Sequence, residues 1–214
     1  MRKYIFLFFL FITSYTNAQD YSFSQFDLNM MYSNPAFAGF ESNNRVLLHR
    51  RNQWMGIAEK FNTNILEFNL NKNLKTRSIA GGMISWAGGF YIIENHENKV
   101  FKTYNIGLIP WTSHFQLPYN SFISMGMQNV ISYKTLDWDQ LVFSDEIDEL
   151  GLTGVQTSAN QPVYLEYTNW FDPSFGFILT KHSKFQKQSG QVTSVGFAMH
   201  HLNKAIESFY NNQV

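Results

Sequence analysis

Residues 120–133 read NSFISMGMQNVISY, and bulky apolar side chains alternate there with small or polar ones. Successive residues of a β-strand point to opposite faces, so the alternation predicts a strand with two unlike faces. The apolar face, interrupted by Asn129, carries Ile123, Met125, Met127, Ile131 and Tyr133, and the polar face carries Ser124, Gly126, Gln128 and Ser132. The wall of a membrane barrel needs this division between lipid and lumen. A sandwich strand packed on one face shows the same alternation, so both architectures stay open at this point.

Six further segments have strand character and are separated by polar or glycine-containing turns. The seven predicted strands are residues 45–51, 61–71, 79–93, 100–111, 120–133, 173–182 and 191–201. The pattern of residues 162–170 does not distinguish a short strand from a loop. Residues 20–39 are predicted to be irregular. The glycine pairs at 81–82 and 88–89 predict bulges or sharp curvature within a strand. Polar turns are predicted at 71–76, 94–99 and 181–189. The predicted fold class is all-β and antiparallel.

The composition narrows the class of protein. Charged residues make up only 15 % of the chain and aromatic residues 17 %, with 21 Phe and 11 Tyr. Lysine plus arginine equals aspartate plus glutamate at 16 each, so no basic surface indicates a nucleic-acid partner. Low charge with many aromatic and amide side chains is typical of an outer-membrane barrel, and a soluble β-rich secreted domain is the alternative.

The first eighteen residues predict export. Arg2 and Lys3 precede an unbroken apolar core, Tyr4 to Ile12, and Thr16-Asn17-Ala18 supplies a small residue at the cleavage position. This is the order of a secretory signal peptide, and its core is too short to span a membrane. We therefore predict a signal peptide at 1–18 and one mature domain at 19–214, exported through the Sec pathway.

The rest of the sequence predicts no spanning helix. Polar residues interrupt every later apolar run long before eighteen residues. A chain embedded in a membrane without helices must close into a barrel, because unpaired backbone groups are costly in lipid. The chain contains no cysteine, which excludes a disulfide framework, a thiol nucleophile and a lipid carried on an N-terminal cysteine.

Few residues are candidates for chemistry, and no cofactor or metal is predicted. His200 and His201 could ligate a metal or belong to an esterase site. Adjacent strand residues point to opposite faces, however, and no acid accompanies them at useful spacing, so we predict structural roles. The acids between Asp137 and Glu149 could bind calcium, but they lack the order of a hand-type loop, and we predict a solvated loop. No G-x-S-x-G motif is present.

Several short motifs follow one another along the mature chain. In chain order they are Phe23-Ser24-Gln25-Phe26, Asn34-Pro35-Ala36 with Ala38-Gly39, Arg51-Asn52-Gln53-Trp54, the glycine-rich strand after Ile79, Leu136-Asp137, Leu141-Val142-Phe143-Ser144-Asp145, Phe171-Asp172 with Gly176, and His200-His201-Leu202. Taken together they resemble a known family, the PorP/SprF outer-membrane proteins of Bacteroidota, which are associated with type IX secretion and gliding motility. The similarity covers essentially the whole mature chain.

The resemblance implies an outer-membrane β-barrel that acts without catalysis. It implies partnership with large secreted proteins, notably adhesins with a C-terminal sorting domain, in their export or surface attachment, alongside other type IX secretion components and outer-membrane lipid. A passive channel for small solutes is the alternative function. The motif residues are expected to be structural or partner-binding: Asn34, Pro35, Arg51, Asn52, Gln53, Trp54, Asp137, Asp145, Asp172, His200 and His201. Two alternatives stay open here: Arg51 and Trp54 contact a partner, or Arg51 pairs with an acid inside the barrel.

The chain also departs from the family pattern. Family members continue with further strands after the His-His-Leu motif, whereas this sequence stops at Val214. Seven predicted strands is an odd number, and closed bacterial barrels have an even number. We therefore expect a barrel that lacks its C-terminal strands.

Overall fold

The computed structural model describes residues 29–40, 44–54, 60–77, 83–148, 151–152, 166–183, 191–205 and 207–209. The predicted signal peptide and the motif at 23–26 lie outside these residues.

Seven long strands form one antiparallel sheet in which each strand pairs with its neighbour along the chain. Their order is β1-β2-β3-β4-β5-β8-β9, and the sheet curls into a half-barrel with β1 and β9 at its edges. A two-stranded ribbon, β6 with β7, interrupts the order between β5 and β8. The strands are β1 (Arg45–Gln53), β2 (Phe61–Arg77), β3 (Met83–Glu97), β4 (Phe101–Leu117), β5 (Ser121–Leu136), β6 (Ile147–Asp148), β7 (Gly151–Leu152), β8 (Tyr167–Ser183) and β9 (Gln191–Met199).

The all-β antiparallel prediction is confirmed, and each of the seven predicted strands corresponds to one strand of the sheet. The predicted polar turn at 71–76 is wrong, because β2 continues to Arg77 and pairs with the start of β3 beyond an irregularity between Lys72 and Thr76. Backbone pairing with β3 keeps this segment in the strand although its side chains are polar. The polar composition alone therefore predicted the end of β2 too early. The segment 162–170 contributes the start of β8, from Tyr167 onwards.

The sheet has a polar inner face and an apolar outer face. Along β5, Ser124, Gln128 and Ser132 are buried on the inner face, whereas Met127 and Ile131 are exposed on the outer face. The division predicted for this strand is confirmed. In β8, Ser174 and Thr180 are likewise buried beside exposed neighbours on the outer face. Most hydrophobic side chains of the wall therefore point outward, the reverse of a soluble domain, whereas Ile93, Ile109 and Ile178 are buried on the inner face.

The one α-helix of the described residues is a single turn, α1 (Met30–Ser33). A 3-10 turn, Pro35–Phe37, follows it after Asn34, which is extended with φ −159° and ψ 117°. The motif Asn34-Pro35-Ala36 thus lies at the start of this 3-10 turn, and the short helix before it modifies the expectation that residues 20–39 are irregular. No helix of the described residues has the length and apolar character to cross a membrane.

The two ends of the sheet differ in their connections. We call the end where β1, β3 and β5 finish the loop rim, and the opposite end the turn rim. The loop rim carries the longest connection, from Asp137 to Glu166, with 3-10 turns at Trp138–Gln140 and Ser144–Glu146. The turn rim carries the tight turn between β4 and β5 at Pro118–Asn120.

Candidate functional site

A segment of the chain lies against the inner face of the half-barrel. This segment, Asn29–Phe40, comprises α1 and the 3-10 turn, and we call it the plug. Its 3-10 turn packs on β4, β5 and β8. Met31, Ala36 and Ala38 are buried there. The plug therefore occupies the concave side that the sequence predicts to be a lumen.

Asn34 fixes the plug to the two last strands. Its Oδ1 accepts a hydrogen bond from the backbone N–H of Ala36 at 2.9 Å, which caps the 3-10 turn. Its Nδ2 donates to the carbonyl oxygens of Phe177 in β8 and Phe197 in β9, each at 3.3 Å. A carboxamide has an acceptor and two donors, and all three functions of Asn34 are used. The motif residue Asn34 is thus a structural residue that joins two strands to the plug.

Side chains of β4 and β5 hold the middle of the plug. The Thr112 hydroxyl donates to the Pro35 carbonyl at 3.0 Å. His114 lies with Nε2 2.8 Å from the Ala38 carbonyl oxygen and Nδ1 2.7 Å from the Ser124 hydroxyl. The carbonyl can only accept, so Nε2 carries the proton and Nδ1 accepts from Ser124. His114 therefore acts as a neutral bridge between the wall and the plug.

The end of the plug is bonded to β2. The backbone N–H of Gly39 donates to Asn69 Oδ1 at 2.8 Å, and Asn71 Nδ2 donates to the Gly39 carbonyl at 2.9 Å. Gly39 has φ +70°, a left-handed conformation that favours glycine. Sequence reasoning did not find these anchors, because the two asparagines lie about thirty residues away from Gly39 and only their polarity is visible in the sequence.

Glycines in the wall make room for the plug. A Cβ added at Gly176 would lie 2.0 Å from Asn34 Oδ1, and one at Gly126 would lie 2.5 Å from the Pro35 carbonyl oxygen. Gly88-Gly89, predicted to form a bulge, lies at a register shift between β3 and β4. The other predicted pair, Gly81-Gly82, lies outside the described residues. The plug approaches the wall so closely at Gly176 and Gly126 that a side chain at either position would overlap it.

The histidine pair requires a correction. The sequence places His200 and His201 on a strand, pointing to opposite faces and without an acid. In the structure β9 ends at Met199, and His201 has φ 56°. His201 Nδ1 lies 2.6 Å from Asp172 Oδ2, and both imidazoles line one cavity. The predicted placement on opposite faces is wrong because β9 ends before the pair and His201 is left-handed. The structural role predicted for the pair stays a prediction.

His200 connects the end of β9 to the plug. Its Nε2 lies 3.2 Å from the Ser33 carbonyl oxygen, and its Nδ1 lies 3.2 Å from the Ser174 hydroxyl. The carbonyl can only accept, so His200 Nε2 donates to it, and the Ser174 hydroxyl is able to donate to or accept from Nδ1. His200 thus contacts the plug at Ser33 and β8 at Ser174, and His201 contacts β8 at Asp172.

A cavity of about 290 Å³ opens beside this pair, and we call it the inner cavity. Tyr91 and Gln128 are buried at it, and Gln128 Nε2 donates to the Tyr91 hydroxyl at 2.7 Å. Tyr32 of the plug meets the Tyr91 ring edge-on, with centroids 5.7 Å apart. Trp170 of β8 completes the aromatic lining. The cavity therefore combines aromatic rings with amide, carboxylate and imidazole groups.

The other motif residues gather at the loop rim. Arg51, Asn52 and Gln53 end β1, and Trp54 follows with its ring against Phe61, centroids 5.1 Å apart. Asp137 and Asp145 are exposed on the long connection of the same rim. The motifs thus form two groups: Asn34, Pro35, Asp172, His200 and His201 at the inner face, and the remaining residues at the loop rim. Among the described residues no group of three or more acids and histidines is placed to hold a metal ion.

The sequence of almost the whole chain matches a known family. A family model described as "Type IX secretion system membrane protein PorP/SprF" matches residues 15–214. The chain belongs to the PorP/SprF family. The resemblance drawn from the short motifs is confirmed, and the protein is a membrane component of the type IX secretion system. Neither a curated protein nor a solved structure matches the chain.

We predict that Gly176→Ala destabilises the protein by displacing Asn34. The new methyl group would overlap Asn34 Oδ1, and overpacking of this kind costs about 1–3 kcal/mol. Urea unfolding in detergent micelles measures the loss. In an Asn34→Gly background the same substitution should cost less, with a coupling energy of about 0.5–3 kcal/mol.

Gly196→Ala on β9 is the matched control. Its added Cβ would lie 3.1 Å from Ile178 Cγ1, 3.2 Å from the Phe177 carbonyl oxygen and 3.3 Å from Asn34 Nδ2. These contacts are much looser than the overlap at Gly176, so the effect should be smaller. Equal costs for Gly176→Ala with and without Asn34 would contradict the placement of the plug.

Proposed function

We propose that this protein is a non-enzymatic outer-membrane component of type IX secretion that binds large secreted proteins, such as adhesins, during export or at the cell surface. Its partners are then the secreted protein or its C-terminal sorting domain, and other components of the secretion system. Residues 1–18 direct export and are removed, and residues 19–214 form the membrane domain.

The observation that carries this proposal is the occupied inner face. The plug is hydrogen-bonded to β2, β4, β8 and β9 and packs on β5, and its buried residues occupy that part of the described inner face. A passive channel requires a wide polar lumen, so the plug counts against the alternative function. A protein whose interior is filled acts through its rims and its surface instead.

The unequal rims indicate which surface meets the partner. In outer-membrane barrels the connections outside the cell are long and the periplasmic turns are short. The loop rim carries the long connection from Asp137 to Glu166 beside a tight turn at Asn98–Val100, and the turn rim carries the tight turn at Pro118–Asn120. We therefore assign the loop rim, with Arg51–Trp54, Asp137 and Asp145, to the exterior, and propose it as the contact for the secreted protein.

Cysteine labelling tests this orientation. The chain has no cysteine, so a single introduced thiol reports without background. On intact cells a membrane-impermeant maleimide should label Asp139→Cys, which is exposed on the loop rim. It should label Tyr119→Cys, 91 % exposed on the turn rim, only after the outer membrane is opened. Labelling of Tyr119→Cys alone on intact cells would contradict the assignment.

Secretion by a deletion strain tests the function itself. We expect loss of the gene to remove specific large proteins from the medium and cell surface, and an affinity-tagged copy to restore them and co-purify with them. Replacing the exposed loop-rim acids together, Asp137→Asn, Asp139→Asn and Asp145→Asn, should weaken co-purification. Tyr119→Ser on the turn rim is the control and should leave co-purification unchanged.

A different outcome would favour the channel. If small-solute uptake fell in the deletion strain while the secreted proteins stayed at the wild-type level, the partner function would be wrong. Ion conductance of the purified protein in planar bilayers would then be expected, and it would not be expected of a plugged protein.

A further inference from the structure

The inner cavity contains a buried acceptor that lacks a donor. Gln128 is 2 % exposed, and its Nε2 is used by the Tyr91 hydroxyl. Its Oε1 is buried and has no hydrogen-bond partner among the described residues. A buried acceptor without a donor is destabilising, and such a group next to a cavity calls for an occupant. The occupant must donate a hydrogen bond to this oxygen.

The charge of the lining points to a cation. Asp172, 5 % exposed, is the single carboxylate among the described side chains that line the inner cavity, and neither lysine nor arginine lines it. His201 Nδ1 lies 2.6 Å from Asp172 Oδ2, and the two nitrogens of His200 meet a carbonyl oxygen and a hydroxyl. The carboxylate disfavours an anionic occupant and favours a cationic one.

The aromatic lining favours the same sign. Tyr32, Tyr91 and Trp170 surround the cavity, and the negative faces of such rings attract cations, most strongly where water is excluded. The volume of about 290 Å³ lies at the small end of the range of ligand pockets, about 300–1,000 Å³. It suits a single head group with a short aliphatic stem.

We propose that the inner cavity binds an organic cation, a primary ammonium or a guanidinium group. Such a group supplies the donor that Gln128 Oε1 lacks, faces the Asp172 carboxylate, and contacts the rings of Tyr32, Tyr91 and Trp170. The cation is either a lysine or arginine side chain of a polypeptide or a free small amine. The site is independent of the proposed role in secretion, because it rests on the cavity alone.

Binding to the purified full-length chain in detergent micelles tests the proposal. The probes are n-butylammonium and n-butylguanidinium, with 1-butanol as the uncharged control of similar stem length, and isothermal titration calorimetry is the readout. We expect saturable binding of at least one cation and at least tenfold weaker binding of 1-butanol, a difference of about 1.4 kcal/mol. Failure of both cations to bind, or equal binding of 1-butanol, would overturn the proposal.

Variants locate the site. Gln128→Met, which keeps the length of the side chain and removes Oε1, should weaken cation binding about tenfold, and Asp172→Asn should weaken it further, because each removes one interaction of about 1.4 kcal/mol or more. Thr180→Val is the matched control, since Thr180 is fully buried on the inner face and bonds Ser194 away from the cavity. Unchanged binding in both cavity variants would overturn the assignment. If Asp172→Asn fails to fold, Trp170→Leu replaces it.

Two further probes distinguish the sources of the cation. An N-acetylated, C-amidated Gly-Lys-Gly peptide represents a polypeptide side chain, and spermidine represents a free amine. Tighter binding of the peptide assigns the site to a polypeptide, and tighter binding of spermidine assigns it to a small amine; both outcomes support a cation site. Exclusion of both probes, with n-butylammonium bound, would overturn either source and restrict the site to a smaller cation.

Discussion

The structure depends on how the polar inner face of a half-barrel finds hydrogen-bond partners. A wall whose hydrophobic side chains point outward must turn amides, hydroxyls and carboxylates inward, and each of these is costly to bury without a partner. Here a segment of the same chain supplies partners. Asn34 alone bonds one backbone amide of the plug and two carbonyls of neighbouring strands. The plug is therefore held by polar contacts to strands that are distant in the sequence.

This constraint explains the composition of the wall. Glycines stand where the plug approaches most closely, at Gly126 and Gly176. His114 has both a donor and an acceptor. It bonds the Ala38 carbonyl of the plug with one ring nitrogen and the Ser124 hydroxyl of the wall with the other. Asp172 and His201 fasten the chain beyond β9, and His200 ties that point to Ser33 of the plug. The family motifs at the inner face are thus parts of one hydrogen-bonded assembly.

Local periodicity predicted the walls of this fold but not its contents. The alternation of β5 divided Ser124 from Met127 correctly, because the side of a strand residue depends only on its position in a period of two. The plug was not predicted, since Asn34 and Phe177 are 143 residues apart and no local pattern joins them. The histidine pair was misplaced for a related reason. β9 ends at Met199 and His201 is left-handed, whereas the sequence pattern predicts that the strand continues.

Hydrogen exchange of residues 29–40, in the protein held in nanodiscs, tests the account most directly. The backbone amides of Ala36 and Gly39 donate to Asn34 Oδ1 and Asn69 Oδ1 in the buried interior, so both should exchange as slowly as the amides of β5 and open only with the sheet. Exchange of these two amides at the rate of an unstructured chain, while the β5 amides remain protected, would contradict a plug bonded to the wall.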